Sequence, residues 1–139
     1  MSADLSEHFA RKATAVGAVV TRAPDGRSAR DAVGREAGDE SAIALFAVAE
    51  TGSVAVSLPR AERGRCLLAE RLWLLVSADD LAPNLDVALQ RIAGLVATGR
   101  GYITLMTGPS RTADIERALT VGVHGPRELH VILVDGPLS

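Results

Sequence analysis

Between residues 4 and 16 apolar positions return at helical spacing. Leu5, Phe9, Ala13 and Val16 share one face, Asp4 and Glu7 suit a capping-box-like start, and Gly17 is a natural stop. Gly17-Ala18-Val19-Val20-Thr21 reads as a short strand. Residues 24–40 are polar and glycine-bearing, and fit either a helical stretch near residues 29–36 or a loop. The apolar run at residues 43–49 is too short to type by periodicity, whereas Ser53-Val54-Ala55-Val56-Ser57-Leu58 alternates as a strand does. Residues 59–64 read as a charged turn, and Leu72-Trp73-Leu74-Leu75-Val76 as a strand buried on both faces. Residues 83–97 give a helix with Leu85, Leu89, Ile92 and Val96 inward and Pro83 in its first turn. A strand at residues 102–106, a helix over residues 111–119 and a strand at residues 130–134 complete the pattern. Strand, helix, strand, helix, strand over residues 72–134 is a βαβαβ unit, parallel and right-handed by default. The expected fold is α/β, with a single open, mostly parallel sheet flanked by helices. Residues 1–139 form one domain: residues 1–40 supply a helix, a strand and a polar loop, and residues 41–134 the core.

Composition agrees with one globular domain: 139 residues, 47% hydrophobic and 23% charged. Fifteen basic residues against 17 acidic ones leave a net charge of −2, which argues against nucleic acid as a partner. No apolar run approaches the roughly 20 residues of a membrane span. The polar, acidic start Met1-Ser2-Ala3-Asp4 is unlike a signal peptide, so a cytoplasmic location is expected. Cys66 is the single cysteine, which excludes an internal disulfide or a four-cysteine metal site. Arg63 and Arg65 would lower its thiol pKa if it were exposed, but Cys66-Leu67-Leu68-Ala69 reads as buried. With three histidines, no dedicated metal site is expected. Lys12, the only lysine, lies on the outer part of a surface helix, the wrong place for a Schiff base.

Three segments could carry chemistry. Residues 107–116 join a strand to the next predicted helix: Gly108 permits a tight turn, Ser110 or Thr112 can cap, and Arg111 can oppose an anion. Asp114 and Glu116 would counter the same helix dipole, so the segment is either a capped helix start or an anion site. Glu50, flanked by apolar strands in Ala49-Glu50-Thr51-Gly52-Ser53, is either a desolvated base or nucleophile or a turn residue accepting backbone N–H groups. His124 sits in the glycine-bounded loop Gly122-Val123-His124-Gly125-Pro126, while His130 reads as a hydrogen-bonded strand residue. No dinucleotide fingerprint, P-loop, nucleophile elbow or zinc-protease motif is present.

Gly108-Pro109-Ser110-Arg111-Thr112-Ala113-Asp114-Ile115-Glu116, then Gly122-Val123-His124-Gly125-Pro126 and Leu129-His130-Val131-Ile132-Leu133, resemble the closing signature of the LUD-domain family, in its lactate utilization protein C group. Ala49-Glu50-Thr51-Gly52-Ser53 resembles the same family's Ala-Glu-Thr-Gly element, and the likeness covers residues 41–134. It implies an architecture similar to the NagB/RpiA/CoA-transferase-like fold. It also implies an accessory role in oxidising L-lactate to pyruvate beside partner subunits that carry iron–sulfur clusters, with no cofactor held by this chain. The matching positions are Glu50 and His124, expected to handle protons, and Thr51, Gly52, Ser110, Arg111, Thr112 and Asp114, expected to bind a small carboxylate or other anion. Members of the family are usually longer before the Ala-Glu-Thr-Gly element, so a shortened sheet, lacking one wall of the cleft, is expected here. The rival readings are a CoA-transferase-like enzyme with Glu50 as nucleophile, an isomerase-like enzyme using Glu50 and the Ser110 turn, and a non-catalytic partner-binding domain.

Overall fold

A computed structural model describes residues 2–99, 101–109, 112–115, 119–121 and 125–138. The first helix, α1 (Ser2–Ala15), buries Ser6, Phe9 and Ala13 and ends at Gly17, whose φ of +102° suits a residue without a Cβ. The helix starts two residues ahead of Asp4, which therefore lies inside its first turn, where a negative charge meets the helix dipole. After β1 (Val19–Ala23), Asp25 caps α2 (Gly26–Ala32) by accepting the Ser28 N–H at 2.7 Å. Ala29 is the one side chain α2 fully buries, so this helix shows no apolar stripe in sequence.

The strands β2 (Asp39–Ile43), β3 (Phe46–Val48) and β4 (Ser53–Ser57) follow. The predicted turn at residues 59–64 is instead the start of a helix, α3 (Arg60–Leu67). Pro59 presets its entry, and burial of Cys66 and Leu67 holds its last turn despite the charged first half. Next come β5 (Arg71–Ser77), a single 3-10 turn (Ala78–Asp80), β6 (Leu81–Ala82) and α4 (Leu85–Ala97). Asn84 caps α4 through the Val87 N–H at 2.9 Å, which puts Pro83 just outside the helix. The chain closes with β7 (Ile103–Met106), β8 (Thr112–Ile115), β9 (Leu119–Val121) and β10 (Glu128–Val134).

Among the described residues these strands form two sheets. The order β1-β10-β5-β2 is parallel throughout, so an α/β fold with a parallel sheet flanked by helices stands as expected. A second sheet, β6-β3-β4-β7-β8-β9, is antiparallel except at β3–β6 and packs against the first. The βαβαβ reading of residues 72–134 is therefore corrected: β5 pairs directly with β10, and β7 between them belongs to the second sheet. A short apolar run signals burial but not its pairing partner, which is where that reading went astray. The helix expected over residues 111–119 is also corrected, because β8 pairs with β7 and β9 with β8. Thr112, Ile115, Thr120 and Val121 are β-branched, and a waiting sheet edge outweighs modest helix propensity.

Leu72, Leu74, Val76, Leu129, Val131 and Leu133 point from the parallel sheet into the main core. Val54, Val56 and Met106 meet them from the second sheet, and Phe9 and Ala13 of α1 close the side. Helix α4 covers the far face of the second sheet with Ala88 and Ile92 against Phe46, Val48 and Ile103. Leu85, Leu89 and Val96 of α4, expected inward, are 37%, 45% and 41% exposed, so only one flank of the apolar stripe is covered.

Candidate functional site

Antiparallel pairing of β4 with β7 sets Val54 opposite Met106, which brings the turn before β4 beside the turn after β7. In the first turn Thr51 Oγ1 lies 2.7 Å from Ser53 Oγ, and Ser53 Oγ lies 2.7 Å from Thr107 Oγ1 of the second. Ser53 is 1% exposed, whereas Thr51 and Thr107 are half-buried. Three hydroxyl protons and two bonds leave one O–H with no other partner among the described residues, and when Ser53 donates along the row that O–H belongs to Thr51 or Thr107. The row can donate to a carboxylate or carbonyl oxygen placed beside Thr51 or Thr107.

Two glycines hold this junction against α1. Gly52 has φ +71°, and a Cβ there would stand 2.4 Å from the Ala13 nitrogen. Gly108 has φ +73°, with its would-be Cβ 2.1 Å from the Val16 carbonyl oxygen. Any side chain at either position would strain the backbone and push α1 away.

Glu50 is exposed, and its Oε1 accepts the Leu85 N–H at 3.0 Å, placing a negative charge at the N-terminus of α4. Thr51 and Gly52 sit in the junction itself. Thr112 and Asp114 lie on β8, opposite Met106 and Thr104, so the strand enters beside the Thr107 turn. Ser110, Arg111 and His124 lie outside the described residues. With no helix at residues 112–115, neither a capped helix start nor an anion held on a helix dipole describes that segment.

Elsewhere the buried Cys66 thiol is pushed up to about 11, first by desolvation and then by the nearby Glu40 charge, which makes it inert. His130 stacks on Trp73 with ring centroids 4.1 Å apart, and its Nε2 lies 3.0 Å from Glu128 Oε1, a structural arrangement. Asp39 is a hub that the sequence pattern did not single out. Its carboxylate accepts from Trp73 Nε1 at 3.1 Å, the Glu36 N–H at 2.8 Å and Arg71 Nε at 2.6 Å. The Trp73 hydrogen bond foremost, with the Glu36 and Arg71 contacts, holds its pKa below the usual carboxylate value. Its side-chain partners, Arg71 and Trp73, lie 32 and 34 residues away in the chain, so no local motif reveals the hub. Among the described residues no group of three His, Cys, Asp or Glu could hold a metal ion, and no helix is long and apolar enough to cross a membrane.

The LUD domain matches residues 42–134. Lactate utilization protein C of Macrococcus caseolyticus is 34% identical over 92 residues, covering 63% of this chain and 40% of that protein. Its counterpart in Deinococcus radiodurans is 35% identical over 91 residues, covering 63% and 42%. The aligned part of this chain thus spans about two fifths of the length of these curated relatives. A crystal structure of a DUF162 family protein from Deinococcus radiodurans superposes with a TM-score of 0.71 at 18% identity, covering 96% of this chain and 98% of that one, which shows a shared fold.

Proposed function

The chain belongs to the LUD-domain family, and from that premise we propose that it serves lactate utilization as an accessory subunit of an iron–sulfur system that oxidises L-lactate to pyruvate. The observation that carries the proposal is the hydroxyl row Thr51–Ser53–Thr107 with its one spare proton, in a junction inside the matched segment. In this reading the row donates to an oxygen of a small hydroxy- or keto-carboxylate, and Gly52, packed against α1, shapes the turn that presents Thr51. Arg111 clamps the carboxylate, since a guanidinium offers two parallel donors. Ser110, Thr112 and Asp114 are assigned to ligand binding in the same reading, and Glu50 and His124 to proton handling. The lone cysteine is buried with a raised pKa, so it does not suit a four-thiolate cluster. The clusters that accept the two electrons belong, in this reading, to partner subunits.

Titrating the purified chain with L-lactate and with pyruvate, followed by NMR, tests this directly. Binding should weaken roughly tenfold in Thr107→Val and in Arg111→Ala, the loss of about one hydrogen bond or more. No binding of either acid at tens of millimolar would sink the ligand reading, and unchanged affinity in Arg111→Ala would remove that residue from the site. A second reading, a non-catalytic partner-binding domain, is favoured by the uncovered apolar flank Leu85, Leu89 and Val96 on α4.

A further inference from the structure

The edge strand β2 borders two clefts at once. On the outer face of the parallel sheet a cleft of about 550 Å³ is lined by Glu40–Ile43 together with Val33, Gly34 and Arg35. On the inner side a smaller cleft of about 250 Å³ is lined by the same four residues with Leu58, Arg65 and Cys66. The ladder to β5 is bracketed by the Arg71 N–H on the Gly38 carbonyl at 3.1 Å and the Ala44 N–H on the Leu75 carbonyl at 2.8 Å. Parallel pairing then turns the main-chain groups of Glu40 and Ala42 toward β5 and those of Asp39, Ser41 and Ile43 outward. The Asp39 N–H returns to the Glu36 carbonyl at 3.0 Å. The N–H and C=O of Ser41 and Ile43, and the Asp39 C=O, have no protein partner among the described residues. Ile43 adds a side chain that is 54% exposed. Natural edges are usually blunted by proline, by free charges or by a bulge; Asp39-Glu40-Ser41-Ala42-Ile43 has no proline, and its two charges are engaged within the chain, Asp39 by Arg71 and Trp73 and Glu40 by Arg65 at 3.7 Å.

We propose that β2 is a self-association edge, on which a second copy of this chain adds its own β2 antiparallel with Ser41 at the two-fold axis. The open groups select this register. Paired Ser41 residues exchange both N–H···O=C bonds, and each Ile43 N–H reaches the open Asp39 carbonyl of the other copy. The ladder ends where the Asp39 N–H is already taken. Charge selects the same arrangement: Glu40 lies opposite Ala42, whereas parallel in-register pairing would set the two Glu40 carboxylates side by side. Ile43 lies opposite Asp39 of the other copy, which carries the exposed isoleucine into the cleft beside Val33 and Gly34. The two outward faces of an antiparallel strand alternate, so one cleft on each side of β2 is the space such a strand requires.

Sedimentation of the intact chain from micromolar to hundreds of micromolar tests the proposal. The expected result is a concentration-dependent species of twice the chain mass. Ser41→Pro removes only an outward N–H and spares the ladder to β5, so it should raise the dimer Kd at least roughly tenfold, with the urea midpoint unchanged when measured at concentrations where both chains are monomeric. Ile43→Lys should do the same and keeps the test available should the proline variant not fold. Leu89→Lys, on the exposed flank of α4, should leave the Kd unchanged. A chain that stays monomeric throughout overturns the proposal. So does a dimer that survives Ile43→Lys but is lost in Leu89→Lys, which would assign association to α4.

Discussion

The two sheets of this molecule divide its work. In the parallel sheet β5 and β10 are nearly continuous apolar strands, sealed toward the second sheet by the main core and partly roofed by α2. The second sheet carries polar turns, and the Thr51–Ser53–Thr107 hydroxyls and the two clamping glycines all belong to it. Both sheets feed the main core, but the hydroxyl row and the tight glycine turns lie on the second sheet alone. The difference predicts where a glycine is indispensable. Gly136, just after β10, has φ +100° and open space around its would-be Cβ. Gly108, just after β7, has the same backbone handedness with the Val16 carbonyl 2.1 Å away. Gly108→Ala should lose about 4 kcal/mol, from left-handed strain plus overpacking, and Gly136→Ala about 1 kcal/mol, from strain alone. Urea unfolding of both variants measures the gap, and equal losses would show that the α1 contact carries no stability.

A smaller effect separates the two flanks of α4. Ile92 is buried against the second sheet and Leu89, three residues earlier, is 45% exposed. Ile92→Ala should lose about 3 kcal/mol by leaving a cavity. Leu89→Ala should change stability by less than roughly 0.5 kcal/mol. A loss at Leu89 near that at Ile92, measured at high concentration only, would instead reveal a partner surface on this flank.

How much of this was legible in the sequence follows the same division. The strand at residues 72–76 was readable because an unbroken apolar run records burial on both faces, and α1 because its stripe sits at the helical period. The second sheet was not, since nothing in Tyr102-Ile103-Thr104-Leu105-Met106 tells whether its neighbour is β5 or β4. Residues 112–115 were misread for a related reason: polar and acidic residues suggested a helix start, while pairing to β7 decided the outcome. Residues 49–53 and 107–116 stand out in the sequence as two separate candidate segments, in which neither Ser53 nor Thr107 is singled out. Their meeting through Ser53 depends on the β4–β7 register, which no local pattern records. The Asp39 hub escaped notice because Trp73 and Arg71 reach it from another strand.

That hub yields the smallest and most specific expectation, and it concerns the parallel sheet alone. Asp39 ties β2 to β5 through Trp73 and Arg71, and these contacts hold its folded pKa below the ordinary value near 4. A depressed folded pKa favours the folded chain above the unfolded value. That contribution fades as the pH falls through the folded pKa, because the unfolded chain takes up the proton first. The urea midpoint should therefore drop between pH 5 and pH 2 in the native chain, and the drop should be shallower in Asp39→Asn. Asp25, whose pKa is lowered chiefly by the Ser28 N–H, is the comparison: it caps a short surface helix, so Asp25→Asn should flatten the profile less. If Asp39→Asn instead loses the same amount at pH 2 as at pH 6, the hub acts through geometry and not through its charge. β2 would then be anchored to the sheet independently of pH, and its open edge would persist under acid as well.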